Sequence, residues 1–259
     1  MTDGKINYDS VLSLEDLTIG YDDKIIMQNI NFSVKRGEII SILGQSGCGK
    51  STLLKNIIGI YSPLKGSIRI FGRDLTKCGE NRRRILLRKM GITYQSGALL
   101  GSLSIAENVA LPLEEHTSKS PQEIKEIVYE KLKLVGMEQF ADYMPSEISG
   151  GMKKRAGLAR ALALNPELLF FDEPSAGLDP ISSAEFDRLI REIRDKANAT
   201  VMLVTHELDS IFAISDRVVV LDKTIKTIAD IGNPHVLRDN SKSEFVRRLL
   251  GRNNLKRQE

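Results

Sequence analysis

A chain of 259 residues, 41% hydrophobic and 27% charged, is long and apolar enough to close its own core, which excludes a disordered polymer and a disulfide-stapled miniprotein. Its 37 basic and 34 acidic residues leave a formal charge of +3, too small a surplus to point to nucleic acid. The two cysteines, Cys48 and Cys78, have no metal-ligand spacing, the opening Met1-Thr2-Asp3-Gly4 is polar, and no apolar run reaches the ~18–20 residues that cross a bilayer. The expectation is a soluble protein of a reducing, cytosolic compartment, whose work at any membrane would need a spanning partner.

Residues 11–35 alternate and break like an antiparallel meander, with Gly20 and the Asp22-Asp23 pair as turn signals. Residues 38–43 predict a buried strand, followed by a glycine-rich turn and an apolar helix over 51–60. Pro63 and Gly66 punctuate ahead of a short strand at 67–71. A basic helix is predicted over 82–90, with Ile85, Leu86 and Met90 on one side and its arginines on a solvated face. Helices follow over 104–113 and 121–135, the second with Ile124, Ile127, Val128, Leu132 and Val135 at helical spacing. Another helix starts after Ser149-Gly150-Gly151 and stops at Asn165-Pro166, because the residue before a proline disfavours helix. Residues 168–171 are all apolar, as in a parallel strand covered on both faces; an amphipathic helix around Phe186, Leu189, Ile190 and Ile193 comes next, then buried strands at 201–204 and 218–221. This alternation predicts an α/β fold on a parallel sheet, with 97–164 as a helical insertion. Phe245, Val246, Leu249 and Leu250 predict a tail helix docked on its own domain, and the polar end 251–259 is expected to be mobile.

Between the strand at 38–43 and the next helix lies Gly44-Gln45-Ser46-Gly47-Cys48-Gly49-Lys50-Ser51-Thr52, which fits G-x-x-x-x-G-K-[ST]. Glycines at this spacing let backbone N–H groups turn inward around a polyphosphate, and the helix that follows adds its N-terminal donors. Lys50 would reach the β and γ phosphates and the Ser51 hydroxyl would ligate Mg²⁺. Cys48 reads as a small loop residue rather than a reactive thiol.

A phosphate cradle needs a carboxylate at the end of a second strand, and Asp172-Glu173 follows the apolar run 168–171. Asp172 suits the metal shell, and Glu173 is placed to take a proton from attacking water. His206 follows the strand at 201–204, where open α/β sheets place ligands; the readings are a γ-phosphate contact or a structural cap. Gln95, between the core and the insertion, is a candidate sensor. Ser149-Gly150-Gly151 opens a helix with a capping serine, a second anion site that one nucleotide does not need.

Together these residues resemble an ATP-binding-cassette ATPase over nearly the whole chain. Gly44 through Thr52 resembles Walker A, Gln95 the Q-loop, Ile148-Ser149-Gly150-Gly151-Met152 the signature motif, with Met152 where glutamine is usual. Residues 168–173 resemble Walker B, Ser175-Ala176-Gly177-Leu178-Asp179 the D-loop, His206 the switch histidine, and Tyr21 the aromatic that stacks on adenine. The resemblance implies a RecA-like P-loop core (1–96 and 165–234) with an N-terminal antiparallel β subdomain, a helical subdomain (97–164) and a tail (235–259), all one nucleotide-binding domain. It implies ATP held by Tyr21, Gly44, Ser46, Gly47, Cys48, Gly49, Lys50, Ser51, Thr52 and Gln95. Ser149, Gly150, Gly151 and Asp179 would join them across a head-to-tail homodimer. Mg²⁺ would be held by Ser51, Gln95 and Asp172, with Glu173, His206 and Lys50 acting in catalysis.

Within the insertion, Gln95-Ser96-Gly97-Ala98-Leu99, residues 102–110 and Leu113-Glu114-Glu115-His116-Thr117 resemble the MlaF-type ATPases of MCE-linked phospholipid trafficking. This narrower likeness implies a peripheral subunit on the cytoplasmic face of the inner membrane. Its partners would be an integral-membrane permease, an MCE-domain lipid-binding protein and a small accessory subunit, and no nucleic acid. The rival within the family is a cassette for another cargo, a small solute or a lipoprotein. Non-transport cassettes of DNA repair would need long heptads between Walker A and the signature, which are missing here. Translation cassettes usually come two to a chain, and a P-loop GTPase would need an Asn-Lys-x-Asp motif, also missing.

Overall fold

The computed structural model describes residues 10–22 and 24–251. The polar opening 1–4, Asp23 of the expected turn and residues 252–259 of the polar end lie outside them. The described residues form two compact units: the chain up to Leu87 and again from Thr200, and Arg88–Ala199.

The first unit begins with β1 (Ser10–Tyr21) and β2 (Lys24–Lys35), an antiparallel hairpin. β3 (Ile39–Gly44) follows with all six residues buried and leads through the glycine-rich loop into α1 (Lys50–Ile57). The helix stops short of the predicted residue 60 because Gly59 takes a left-handed φ of 77°; Ile60 lies in water. β4 (Lys65–Ile70) adds to β1 and β5 (Arg73–Asp74) to β4, giving an antiparallel sheet in the order β2-β1-β4-β5. α2 (Glu80–Leu87) closes this stretch. Here the prediction to residue 90 is corrected: Ile85 is 53% exposed and only Leu86 is buried, so no apolar stripe carries the helix further.

In the second unit Met90 opens a strand, β6 (Met90–Thr93). Then come α3 (Ile105–His116), α4 (Pro121–Leu134) and α5 (Gly150–Leu162), with short 3₁₀ turns and no strand between 97 and 164. Ser104 with Glu107 and Ser120 with Glu123 form capping boxes, which fix where α3 and α4 start. β7 (Leu168–Asp172) runs parallel to β6, and α6 (Pro180–Ala197) packs Phe186 edge-on against Phe171, ring centroids 6.4 Å apart. This unit thus takes in β6, β7 and α6 as well as the helices of 97–164.

The chain re-enters the first unit with β8 (Thr200–Val204), α7 (Leu208–Ile214), β9 (Arg217–Asp222), β10 (Thr227–Gly232), α8 (Pro234–Asn240) and α9 (Glu244–Leu250). β3 lies between β8 and β9 and parallel to both, which is why its residues are apolar on both faces. β10 pairs antiparallel with β9. Val246, Leu249 and Leu250 of α9 are buried with Leu43, Ile211, Val218, Val220 and Leu237, so the tail helix docks on its own unit as predicted. Among the described residues no helix is long and apolar enough to cross a membrane.

Candidate functional site

In the first unit the site starts where β3 ends. Gly44 is the last strand residue, and a Cβ there would stand 2.5 Å from Cys48 Sγ and 2.9 Å from the Leu221 carbonyl, so only glycine fits. Gly47 and Gly49 take left-handed φ values of 75° and 102°, which fold the loop back on itself before α1. Lys50 Nζ donates to the Gly44 carbonyl at 2.8 Å and to the Gln45 carbonyl at 3.4 Å, holding its charge over the loop. With Gly49 as N-cap and no acidic residue in the first turn, the helix presents its donors and dipole unopposed. Space is open beyond Gly47, and the Ser51 side chain is exposed. A left-handed glycine loop, a held cation and a bare helix start fit a polyphosphate. Cys48 is 1% exposed, and burial pushes its thiol above the ordinary range against the pull of the Lys50 charge; this agrees with a structural loop residue.

Tyr21, at the end of β1, lies over the start of α1: its hydroxyl is 3.1 Å from Thr52 Oγ1, and its ring meets Tyr61 edge-on at 5.5 Å. At 44% exposure its side chain is partly open to solvent. His206 is exposed just past β8, and the Thr205 N–H donates to the Ile42 carbonyl of β3. The phosphate loop and His206 therefore emerge at the carboxyl ends of adjacent parallel strands.

The second unit repeats this logic at a smaller scale. Thr93 pairs with Phe171, so Gln95 and the Asp172-Glu173 pair leave the carboxyl ends of neighbouring strands. Glu173 stands at φ 51°, a left-handed turn for a non-glycine residue and the kind of backbone strain found at working sites. Ser149 caps α5, its Oγ accepting from Met152 N at 3.3 Å. Gly150 has nothing within 4 Å of a would-be Cβ and Gly151 only Leu178 at 3.5 Å, so this helix start stands open to an anion. Asp179 caps α6, accepting from Ile181 N and Ser182 N at 3.0 Å and from Ser182 Oγ at 2.5 Å. The Ser182 hydroxyl and N–H hold its carboxyl below the usual carboxylate range.

Among the described residues no group of three or more His, Cys, Asp or Glu side chains could hold a metal by itself. Ser51 in the first unit, and Gln95 and Asp172 in the second, each carry a hard oxygen of the kind Mg²⁺ takes, and among the described residues neither unit by itself offers a set dense enough for a resident ion.

Sequence reasoning passed over three residues. Asn108 is buried; its amide donates to the carbonyls of Leu100, Leu103 and Ser104 while its Oδ1 accepts from Leu100 N. Arg160 donates to the Gly97 carbonyl at 3.1 Å, two residues past Gln95. Lys154 on α5 is buried as well. Lys154 carried a usable signal: with Leu158 and Leu162 it forms the i, i+4, i+8 buried row of the helix, a lysine where an apolar residue is due.

A family model described as ABC transporter matches residues 27–176. The chain is 41% identical over 207 residues to the intermembrane phospholipid transport system ATP-binding protein MlaF of Haemophilus influenzae, covering 80% of this chain and 78% of that one. It is 40% identical over 215 residues to the probable ribonucleotide transport ATP-binding protein mkl of Mycobacterium leprae, covering 83% of this chain, and 37% identical over 240 residues to the methionine import ATP-binding protein MetN of Brucella abortus, covering 93%. It spans 62% of the length of the M. leprae protein and 64% of the B. abortus one. Among solved structures, the dimeric post-hydrolysis state of the ATP-binding cassette MJ0796 bound to ADP and Pi matches at a TM-score of 0.78 and 29% identity, over 86% of this chain and 98% of that one. The chain belongs to the ABC transporter family.

Proposed function

We propose that this chain is the ATP-hydrolysing motor subunit of a transporter that moves phospholipids between the inner and outer membranes. It would work as a homodimer on the cytoplasmic face of the inner membrane, with an integral permease, an MCE-domain partner and a small accessory subunit. The observation that carries the hydrolytic half is the loop around Gly47, Gly49 and Lys50, built for a triphosphate. In this reading the backbone N–H groups from Gly44 to Thr52 hold the phosphates, Lys50 neutralises the β and γ oxygens, and Tyr21 stacks on adenine. Ser51, Gln95 and Asp172 would hold the Mg²⁺ that comes with the nucleotide, which would neutralise charge on the phosphate oxygens. Glu173 accepts the proton of the attacking water as the bond between the γ-phosphorus and its bridging oxygen breaks, and His206 contacts the γ-phosphate. Ser149, Gly150, Gly151 and Asp179 serve the nucleotide of the second copy.

The cargo rests on a coarser argument. The H. influenzae phospholipid protein is matched at 41% identity over 80% of this chain, and the segment from Gln95 to Thr117 resembles the ATPases of MCE-linked phospholipid trafficking. A mild-detergent pull-down from native membrane, with partners identified by mass spectrometry, tests it. Recovery of a permease with an MCE-domain protein is the expected result. A permease with a solute-binding or lipoprotein-handling partner would keep the motor and discard the lipid cargo.

A further inference from the structure

Lys154 is the one residue of the buried row on α5 that carries a charge. It is 8% exposed, and its ammonium donates to the Pro174 carbonyl at 2.7 Å and to the Ala176 carbonyl at 2.6 Å. Those two carbonyls bracket Ser175 in the turn that follows Glu173. The carboxylate of Glu173 adds an electrostatic attraction to the ammonium, while burial pushes the lysine below its ordinary range. A desolvated ammonium with two short charge-assisted hydrogen bonds is a rigid link, because leaving either carbonyl or the charge unpaired inside the protein is expensive.

The turn needs such a link. Glu173 sits at φ 51°, a conformation that a non-glycine residue keeps only when its surroundings enforce it. Ala176 N donates to the Glu173 carbonyl at 3.3 Å and Leu178 N to the Ser175 carbonyl at 3.0 Å, so the turn's own bonds close it from within. Lys154 is the clamp from outside, and it belongs to the helix that begins with Ser149, Gly150 and Gly151.

We infer that Lys154 is a positioning residue for hydrolysis: it ties the signature helix to the backbone on either side of Ser175 and so sets the orientation of Glu173. The inference rests on the reading of Glu173 as the base. It adds that a shift of α5, the helix proposed to meet the second copy's nucleotide, is felt one turn away at this chain's own Glu173 without passing through the phosphate loop.

The test compares Lys154→Met, Lys154→Arg, Glu173→Gln and the Lys154→Met/Glu173→Gln pair in the full chain, assayed in the complex it forms with its membrane partners. Turnover is normalised to nucleotide-binding sites, so that a loss of folded protein does not register. Lys154→Met is expected to lower kcat at least tenfold with KM for ATP within about twofold of the parent, and Lys154→Arg, which restores a charged donor, to recover to within about threefold. In the Glu173→Gln background the further loss from Lys154→Met is expected to be under twofold, because a residue acting through Glu173 has nothing left to position. Unchanged kcat in Lys154→Met, an arginine variant as slow as the methionine one, or losses that multiply in the double variant would each overturn the inference. A lower melting temperature with normal kcat per site would reduce Lys154 to a packing role. Normal turnover in Glu173→Gln alone would instead overturn the assignment of the base, whatever Lys154 does.

Discussion

Lys50 holds its charge over the loop by bonding two carbonyls of that loop, Gly44 and Gln45, rather than by an ion pair. Its removal therefore leaves no buried carboxylate behind, and the loop keeps its shape through Gly47 and Gly49. Lys50→Ala is expected to weaken ATP binding at least tenfold while shifting the melting temperature by less than about 2 °C, since a half-exposed side chain without a charged partner contributes little to stability. Isothermal titration with ATP beside a thermal melt checks both; unchanged affinity would contradict the phosphate cradle. Glu173→Gln should leave binding intact and cost roughly 10²–10⁴-fold in turnover, the usual scale for loss of a general base, in a steady-state phosphate-release assay. These roles are legible in the sequence because the phosphate loop does its work with contiguous residues whose types are fixed by backbone geometry. Asn108 was not legible, because its role is set by how the 100–104 loop folds its carbonyls back onto the amide. Lys154 was legible only as a lysine in an apolar row; its partners, Pro174 and Ala176, come from beyond β7.

Helix α5 is pressed against the segment after Gln95 along much of its length. A Cβ on Gly97 would stand 2.5 Å from the Lys153 carbonyl, and one on Gly157 would stand 2.8 Å from the Gly97 carbonyl. Gly97 is fixed from both sides, at φ 77° and with Arg160 on its carbonyl, so the backbone there has little room to yield. Gly157→Ala sets two effects against each other: alanine gains about 1 kcal/mol of helix propensity, while overpacking against backbone costs about 1–3 kcal/mol. The clash should win, lowering the melting temperature by a few degrees and slowing hydrolysis as the Gln95 segment shifts. Gly101→Ala, with open space around it, should change stability by less than about 0.5 kcal/mol. Equal melts for the two variants would show that α5 and the segment are not tightly coupled. The long elements of this unit were legible because their caps and apolar periods agree, as in Ser120 with Glu123 ahead of Val128 and Leu132. What escaped was α7, α8 and β10: α8 has only Val236 and Leu237 as large apolar residues, and all six residues of β10 are half-buried with no alternation, so neither shows a period. α2 was overrun because four apolar residues in nine, Ile85, Leu86, Leu87 and Met90, match a helix period by chance as easily as by burial.

At the scale of the whole molecule the described residues hold one phosphate loop but two helix starts dressed for anions, at Lys50 and at Ser149. The second is as open as the first: Ser149 and Gly150 are exposed, and neither Gly150 nor Gly151 has a neighbour close enough to block a ligand. If both served one nucleotide within one chain, the protein would need no second copy; if the second serves a neighbour, ATP is the glue of a dimer. The similar cassette MJ0796 is dimeric with ADP and Pi bound. The two cases separate in solution. Glu173→Gln, which should bind ATP without consuming it, is expected to run at the mass of one chain with ADP and near twice that mass with ATP, by light scattering after size exclusion. Adding Ser149→Glu puts a carboxylate where a γ-phosphate should arrive. Two like charges about 4 Å apart repel by about 4 kcal/mol in a partly solvated site, roughly a thousandfold in the dimerisation constant. The double variant should stay at the mass of one chain with ATP, yet bind ATP as a monomer within about twofold of Glu173→Gln alone. Weakened binding to the monomer would mean instead that Ser149 attends to its own chain's nucleotide, and the head-to-tail dimer would have to be given up.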